Sequence, residues 1–373
     1  MKMPAEHIRE EIRKAGAITF ARFMELALYC PETGYYERNR DNVGRAGDFI
    51  TSVSSGEMFG QLLAFQFAQW LDDLAPFKIK NEKLKILEAG AHDGKLAADI
   101  LRWLEKNRVA LFSEIEYCLI EPSTRRQQWQ AEALKEFAAH VRWFSSLEDF
   151  KLRTQNSKLH GIFFSNELLD AFPVHRYGWH AQEKKWFELG VALDVETLRW
   201  DRWLPVGEDA GSAFADKLQL PAALLEVLPD GYTLEASPAA ENWWREAAGF
   251  LTHGKLVAID YGFTAEEMIS PSRPNGTLRA YARHRVSDDL LANPGEQDLT
   301  AHVNFSAIQK TGEAAGLKTD FFRTQPQFLT RIFADAVKGN HFTPLTPKQI
   351  RQFQTLTHPD HLGRAFRVLA QSR

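Results

Sequence analysis

The chain has 373 residues, 44% of them hydrophobic, and 45 lysines and arginines against 49 aspartates and glutamates give a net charge of -4. This length is enough to bury one large core or two modest ones. The mild negative charge provides no basic surface field, so we expect no nucleic-acid partner.

Cysteine usage and the N-terminus narrow the class of protein further. Cys30 and Cys118 lie far apart, and neither has the cysteine or histidine spacing of a zinc site. We therefore expect no metal and no disulfide framework. The first residues lack the apolar core of a signal peptide, and no run approaches about 18 apolar residues. These features predict a cytoplasmic protein without membrane insertion, and they leave its oligomeric state open.

Residues 1–84 are predicted to form an N-terminal helical cap with a loop that covers a cofactor. Thr19 can cap a helix over residues 20–28, and another helix is expected from about Gly56 to Leu74. Between them, residues 44–52 are rich in glycine and polar side chains, which suits a loop folded over a nucleoside. A plain surface loop is the alternative for this segment.

Residues 85–373 are predicted to form an α/β core. Strands and helices alternate, with strands from 85 and at 115–120, 141–144, 161–166, 255–260, 317–322 and 365–370, and helices at 96–106, 123–138, 239–251 and 305–315. Such alternation predicts a parallel, doubly wound sheet with right-handed crossovers. The strand at 365–370 comes late enough to insert between earlier edge strands. We therefore expect seven strands, six parallel and one antiparallel.

Two segments depart from this alternation. Residues 173–235 contain short aromatic, alternating stretches, which indicate antiparallel strands in an inserted β-rich subdomain. Residues 261–304 are interrupted by glycines and prolines and are predicted to be a long loop that serves as a lid or substrate wall. The cap and the insertion are both expected at the carboxyl edge of the sheet.

The stretch from Lys85 to Leu96 is the most informative part of the sequence. An apolar strand containing Glu88 enters a turn with Gly90, Asp93 and Gly94, and an amphipathic helix follows. Glycines let backbone approach a ligand, and helix N-termini favour negative charge. A second strand ends at Glu121, whose carboxylate can accept the hydroxyls of a ribose. Together these residues predict a nucleoside-bearing cofactor.

The spacing in the turn helps to choose between cofactors. A dinucleotide site requires a third glycine, which is missing here. The acidic strand end at Glu88 and the G-x-x-x-G spacing look like the first motif of S-adenosylmethionine-dependent methyltransferases. In such a site Glu88 would fix the turn and meet the cationic methionine moiety through water. A purely structural glycine turn is the other interpretation.

Polar groups at two later strand ends are candidates for chemistry. Asn166, Glu167 and Asp170 follow a strand whose end should face the ligand crevice, where they can orient a cationic nucleophile. The alternative is that the acids only favour a helix N-terminus. Asp260 and Tyr261 end another strand, and His302 lies in the long loop after it. These three are predicted to form a substrate wall.

These segments together resemble the MidA family of methyltransferases. The resembling residues are 34–36, 47–52, 86–96, 98–101, 121–123, 166–174, 260–262, 276–281, 284, 298–305, 324–325 and 328–329. The resemblance implies a Rossmann-like class I methyltransferase fold, S-adenosylmethionine as cofactor and an arginine side chain of a protein as acceptor. It also implies cofactor contacts from Asp48 and Thr51 in the covering loop, beside Gly90, Asp93, Gly94 and Glu121.

The sequence departs from the family pattern in two places. His92 stands where the family has the central glycine of its first motif, and Val53-Ser54 replace a Pro-Glu pair. Histidine tolerates positive φ poorly, so the carboxypropyl end of the donor is expected to sit differently. A non-catalytic assembly protein that keeps the cofactor fold is therefore a competing hypothesis, and an NAD-dependent dehydrogenase is another.

Overall fold

The computed structural model describes residues 3–38, 51–77, 83–154, 159–201, 214, 222–282, 285–342 and 344–373. Its strands are β1 (Ala17–Thr19), β2 (Leu84–Ala89), β3 (Ile115–Ile120), β4 (Val141–Phe144), β5 (Leu159–Asn166), β6 (His175–His180), β7 (Lys185–Asp194), β8 (Thr197–Asp201), β9 (Thr233–Ala236), β10 (Leu251–Phe263), β11 (Arg279–Ala282), β12 (Arg285–Ser287), β13 (Asp298–Thr300), β14 (Val303–Asn304), β15 (Lys318–Thr324) and β16 (Phe366–Ser372).

Helices make up much of the remaining described chain. They are α1 (Pro4–Ala15), α2 (Phe20–Tyr29), α3 (Tyr35–Arg38), α4 (Met58–Leu74), α5 (Lys95–Asn107), α6 (Val109–Glu114), α7 (Thr124–Ala133), α8 (Leu147–Arg153), α9 (Ala222–Leu225), α10 (Pro238–Phe250), α11 (Ala265–Met268), α12 (Phe305–Ala314), α13 (Gln325–Lys338) and α14 (Pro347–Thr357). Thr19 caps α2 as predicted, since its side chain accepts a hydrogen bond from the Arg22 amide. None of the described helices has both the length and the apolarity needed to cross a bilayer.

Seven of the eight strands that the structure describes in the main sheet form the predicted path. Its strands follow one another in the order β15-β16-β10-β5-β2-β3-β4. All neighbouring pairs from β10 to β4 are parallel, whereas β16 is antiparallel to both β10 and β15. The predictions of six parallel strands, one antiparallel strand and a late inserted strand are confirmed.

Burial explains why these sequences form this sheet. β2 and β5 are buried along their whole length, which requires cover on both faces of the sheet. Their centres, Ile86-Leu87 and residues 162–164, are accordingly apolar. α4 packs against the sheet with Leu62, Leu63 and Phe67 fully buried. Each such side chain contributes roughly 1.5–3 kcal/mol by leaving water. The glycine turn after β2 is thereby held on a rigid layer.

A second, antiparallel sheet confirms the β-rich subdomain. Its strands run in the order β1-β7-β6-β9, and β8 also pairs with β7. β1 joins from the N-terminal segment, with Ala17 opposite Ala192. Aromatic side chains fill part of its core, because Tyr177, Trp179 and Trp186 form a buried cluster with Phe214.

The prediction that residues 261–304 form one long loop is wrong. β10 continues to Phe263, and β11, β12 and β13 form a three-stranded antiparallel sheet. These strands are three or four residues long, too short to show an alternating pattern between prolines and glycines. The segment is therefore an ordered structural element across its described residues.

The chain divides into two compact units, each made of three segments. The first unit contains residues 1–39, 170–241 and 263–307, and the second contains residues 40–169, 242–262 and 308–373. The second unit carries the seven-strand path. The division by role into 1–84 and 85–373 is a different partition, and it stays a prediction.

Candidate active site

Most of the predicted site residues lie at the carboxyl edge of the parallel strands in the second unit. Ala89 of β2 is in register with Ile120 of β3 and with Ser165 of β5, and Ser165 is in register with Ala258 of β10. The residues that follow these positions therefore leave the sheet side by side. Ligands of open α/β sheets bind at this edge.

The turn after β2 has an unusual backbone. Gly90, His92 and Gly94 all adopt positive φ, at 77°, 47° and 81°. A Cβ on Gly90 would lie 2.8 Å from the Leu168 side chain, and one on Gly94 would lie 3.1 Å from the Gln130 Cα. His92 takes the left-handed conformation despite its Cβ, at a typical cost of about 1–2 kcal/mol. Something else in the site must stabilise that conformation.

Asp93 is held at the start of α5. Its Oδ1 accepts a hydrogen bond from the Lys95 amide at 3.1 Å. Burial pushes the pKa of the Asp93 carboxyl up, but the His92 ring and Lys95 outweigh it and leave that pKa below its usual value. Asp93 is therefore a carboxylate near neutral pH.

Glu88 lies on β2, two residues before Gly90, and has a protein partner. The Tyr117 hydroxyl donates to Glu88 Oε2 at 2.6 Å. Glu88 is almost fully buried, and this burial raises its pKa to about 7. Its position suits the predicted role of fixing the turn.

Glu121 is enclosed by the first turns of α7. Only 1% of it is exposed. Its Oε1 accepts from the Ser123 amide at 3.0 Å and lies 3.2 Å from Arg126 Nε, while its Oε2 accepts from Gln130 Nε2 at 3.1 Å. The carboxylate is thus fixed in orientation at the end of β3, as a ribose contact requires.

Gln130 is a polar residue of the site that the sequence did not reveal. It is fully buried. Besides Glu121, its Nε2 donates to the His92 carbonyl at 3.0 Å, and its Oε1 accepts from Trp143 Nε1 at 3.0 Å. A single glutamine in a polar helix carries no sequence signal for such a role.

The end of the predicted covering loop lies in the same place. Thr51 Oγ1 accepts from the Ser54 amide at 3.0 Å, which closes a turn. The next amide, that of Ser52, donates to Glu167 Oε1 at 3.2 Å, and Lys95 Nζ donates to the Val53 carbonyl at 3.2 Å. Thr51 is therefore in the segment that contacts both the glycine turn and Glu167. Asp48 lies outside the described residues.

Asn166 and Glu167 present acceptor atoms at the end of β5. Asn166 Nδ2 donates to Glu167 Oε1 at 3.1 Å. Asn166 Oδ1 and Glu167 Oε2 are buried, and no described residue donates a hydrogen bond to either atom. Burial, and secondly the Asp260 carboxylate, raise the pKa of Glu167 to about 8.

Asp260 holds the backbone beyond Glu167. It is fully buried. Its Oδ2 accepts from the amides of Leu168 at 3.1 Å and Leu169 at 2.8 Å, and its Oδ1 accepts from the Tyr261 amide at 2.8 Å. These bonds fix the turn in which Glu167 has a φ of 51°. The Tyr261 ring packs on Phe366 at 4.0 Å between centroids.

Asp170 and His302 belong to the first unit. The Asp170 carbonyl accepts from the Ala301 amide, and its side chain is buried. The His302 amide donates to Thr277 Oγ1 at 3.1 Å, and its ring stacks on Phe263 with centroids 4.8 Å apart. Their predicted roles toward the acceptor stay predictions.

The residues present suit S-adenosylmethionine. A fixed carboxylate ends the second strand, a left-handed glycine turn leads into a helix N-terminus, and buried acceptor atoms lie at the end of β5. Positive φ and close backbone packing at Gly90 and Gly94 are what a turn against a ligand requires.

Comparison with known proteins agrees with this arrangement. A family model described as "Putative S-adenosyl-L-methionine-dependent methyltransferase" matches residues 62–323. The protein arginine methyltransferase NDUFAF7 of Bos taurus is 28% identical over 98% of this chain and 82% of its own, and that of Homo sapiens is 26% identical over 98% and 82%. Both are named as mitochondrial proteins.

Two solved structures from Burkholderia thailandensis are similar over nearly the whole chain. One was solved with S-adenosyl-homocysteine bound; it is 31% identical, with a TM-score of 0.82 over 99% of this chain and 92% of that one. A native structure is 30% identical, with a TM-score of 0.80 over 99% and 91%. The fold and cofactor expected from the sequence are thereby confirmed.

The cytoplasmic location expected from the sequence is wrong by the same comparison. The curated relatives from Bos taurus, Danio rerio, Homo sapiens and Drosophila melanogaster are all named as mitochondrial. The sequence features from which that location was inferred do not separate one cell compartment from another. The predicted fold, the site geometry and these matches lead to one assignment: the chain belongs to the S-adenosylmethionine-dependent methyltransferase family, with S-adenosylmethionine as its cofactor.

Proposed function

We propose that this methyltransferase acts on an arginine side chain of a protein substrate. Relatives that are 26–28% identical are named as protein arginine methyltransferases. The structural support is the pair of buried acceptor atoms, Asn166 Oδ1 and Glu167 Oε2, at the sheet edge. A guanidinium group has five N–H donors in a planar fork and no acceptor, so it complements such a pair.

The buried Glu167 Oε2, to which no described residue donates a hydrogen bond, is the observation that carries the proposal, and the same burial raises the pKa of this carboxyl. With a pKa of about 8, the carboxyl is mostly protonated at neutral pH while no cation is bound. Ionising it one pH unit below its pKa costs about 1.4 kcal/mol. A hydrogen bond between charged partners returns roughly 1.5–3 kcal/mol. Binding of a guanidinium can therefore displace this proton and leave a carboxylate beside the cation. A neutral ligand forms weaker hydrogen bonds, which offset less of the free-energy cost of ionising Glu167.

The cofactor-binding residues have separate roles in this proposal. Glu121 accepts the ribose hydroxyls, and the turn with Gly90, Asp93 and Gly94 holds the amino-acid end. Glu88 supports the turn, and Thr51 and Asp48 belong to the covering segment. When bound, the cofactor supplies a methyl group on a positively charged sulfur. The protein then needs to orient the acceptor nitrogen and exclude water, with little acid–base work.

The remaining residues are proposed to shape the acceptor side. Asp260 keeps Glu167 in position through the Leu168 and Leu169 amides, and Tyr261 lies beside it. Asp170 and His302 are proposed as further acceptor contacts on the sequence evidence alone. In this arrangement Asn166 and Glu167 would align one guanidinium nitrogen with the methyl group. The Glu167 carboxylate would take the proton that this nitrogen loses as its N–C bond forms and the S–C bond of the cofactor breaks.

The experiment is methyl transfer with labelled cofactor, using arginine-containing peptides and a cell extract as acceptors. We expect label in methylarginine, identified by mass spectrometry, and none in matched peptides with lysine in place of arginine. Label on lysine or on a small molecule would refute the arginine assignment. Cofactor binding without transfer to any acceptor would favour the non-catalytic assembly protein instead.

A further inference from the structure

Gln130 connects the two cofactor-binding elements of the site. Its Nε2 lies 3.0 Å from the His92 carbonyl oxygen in the glycine turn and 3.1 Å from Glu121 Oε2 at the end of β3. Its Cα also lies 3.1 Å from where a Cβ on Gly94 would be. One buried side chain of α7 thus touches both elements.

The hydrogen bonds of Gln130 allow only one orientation of its amide. The Trp143 indole N–H can only donate, so the atom it meets at 3.0 Å must be the glutamine oxygen. The nitrogen then faces a carbonyl and a carboxylate, which can only accept. These three hydrogen bonds require two N–H donors and one acceptor oxygen on the side chain at position 130. Neither a carboxylate nor an apolar side chain has them.

The bond to His92 fixes a peptide unit that is otherwise strained. His92 has a φ of 47°, which a residue with a Cβ rarely adopts. In a trans peptide the C=O and the following N–H point in opposite directions. Holding the His92 oxygen on Gln130 therefore directs the Asp93 amide away from α7. In this way Gln130 sets the direction of one backbone donor in the turn.

We propose that Gln130 is a positioning residue for the cofactor. It stabilises the left-handed conformation of His92 and the orientation of Glu121 together, and it is what allows a histidine at this place in the turn. The inference rests on the proposed assignment of the glycine turn and Glu121 to the cofactor. It does not depend on which acceptor is methylated.

A double-mutant cycle in cofactor affinity tests this. S-adenosyl-homocysteine binding is measured by calorimetry for the wild type, Gln130→Met, His92→Gly and the double variant. We expect Gln130→Met to weaken binding roughly ten-fold, because hydrogen bonds in a charged site are lost. Glycine reaches positive φ without steric cost, so the same change should weaken binding clearly less, about three-fold, in the His92→Gly background.

A matched control and a second variant keep the test decisive. Gln128→Met makes the same change at an exposed position of α7 and should leave affinity unchanged. If Gln130→Met does not fold, Gln130→Glu keeps the shape but, when ionised, cannot donate to His92 or Glu121. The proposal would be overturned if Gln130→Met weakened cofactor binding equally with His92 and with His92→Gly. It would also be overturned if Gln130→Met lowered the melting temperature but left cofactor affinity unchanged. If the cofactor binds and the two substitutions show the expected dependence on each other, but no arginine is methylated, only the proposed function would be overturned.

Discussion

The substitution Glu167→Gln should impair methyl transfer to the acceptor without impairing cofactor binding. In the free protein the Glu167 carboxyl is mostly neutral at pH 7, because its pKa is about 8. Glutamine has nearly the shape of that neutral form. Its carbonyl oxygen can still accept the bonds from the Ser52 amide and Asn166 Nδ2 that Glu167 Oε1 accepts at 3.2 and 3.1 Å. The substitution should therefore leave both the fold and the covering segment in place.

The expected loss follows from the charge that glutamine cannot acquire. A hydrogen bond to a charged group is worth roughly 1.5–3 kcal/mol, against about 1 kcal/mol for a neutral one. Glu167 offers one free acceptor to the guanidinium, Oε2, and glutamine puts an N–H2 group there that cannot accept. We therefore expect a loss of about 3 kcal/mol in the transition state, the upper end of that range. Since 1.36 kcal/mol is a factor of ten, transfer should fall on the order of 100-fold. Cofactor affinity should change by less than about three-fold.

The assay is kcat/KM for an arginine peptide across a pH series, with cofactor affinity measured on the same samples. For the wild type, kcat/KM should rise with pH up to about 8, because acceptor binding must displace the Glu167 proton. Glu167→Gln should remove that rise. Glu116→Gln, which alters a carboxyl on β3 paired with Arg142, is the control. Full activity in Glu167→Gln, or loss of the cofactor instead, would refute the reasoning.

Three further predictions concern the cofactor site and stability. Glu121→Ala should weaken cofactor binding by roughly 1.5–3 kcal/mol in calorimetry, and a smaller loss would place the ribose contact elsewhere. Gly94→Ala should lower the free energy of unfolding by about 1–2 kcal/mol, because its φ is 81°, whereas Gly249→Ala, which meets no atom within 4 Å, should not lower it. Glu88 and Glu167 have pKa values raised from 4.5 to about 7 and 8, so both take up protons on folding. The stability they contribute is fully present below about pH 4.5 and is lost as pH rises through 7 and 8. Urea unfolding from pH 5 to 8.5 should show this fall, and Glu88→Gln should flatten part of it.

The parallel core could be predicted because its signals are local and strong. Buried strands such as Leu84–Ala89 and Leu159–Asn166 have apolar centres, Ile86-Leu87 and residues 162–164, and each is bounded by a turn or a polar strand end. The strand at Phe366–Ser372 was placed by its late position and apolar character. The glycine turn and Glu121 were found because their residue types have a physical meaning at a strand end.

What could not be predicted depends on contacts between distant parts of the sequence. Nothing near Ala17 indicates that it pairs with Ala192. Gln130 is important because of where His92, Glu121 and Trp143 lie around it, and a single glutamine does not predict that arrangement. The raised pKa of Glu167 likewise comes from burial and from Asp260, which is 93 residues further along the chain.

The segmented composition of the two compact units limits how the protein can be dissected. The backbone passes from one unit to the other at 39/40, 169/170, 241/242, 262/263 and 307/308. Neither unit can be obtained complete by cleaving the chain at one position or by expressing one continuous fragment. Folding of each unit must join residues more than a hundred positions apart, which makes it slow and exposes unpaired strand edges in the meantime. Attempts to purify the second unit alone should therefore give insoluble protein, and isolating it would require joining its three segments directly to one another.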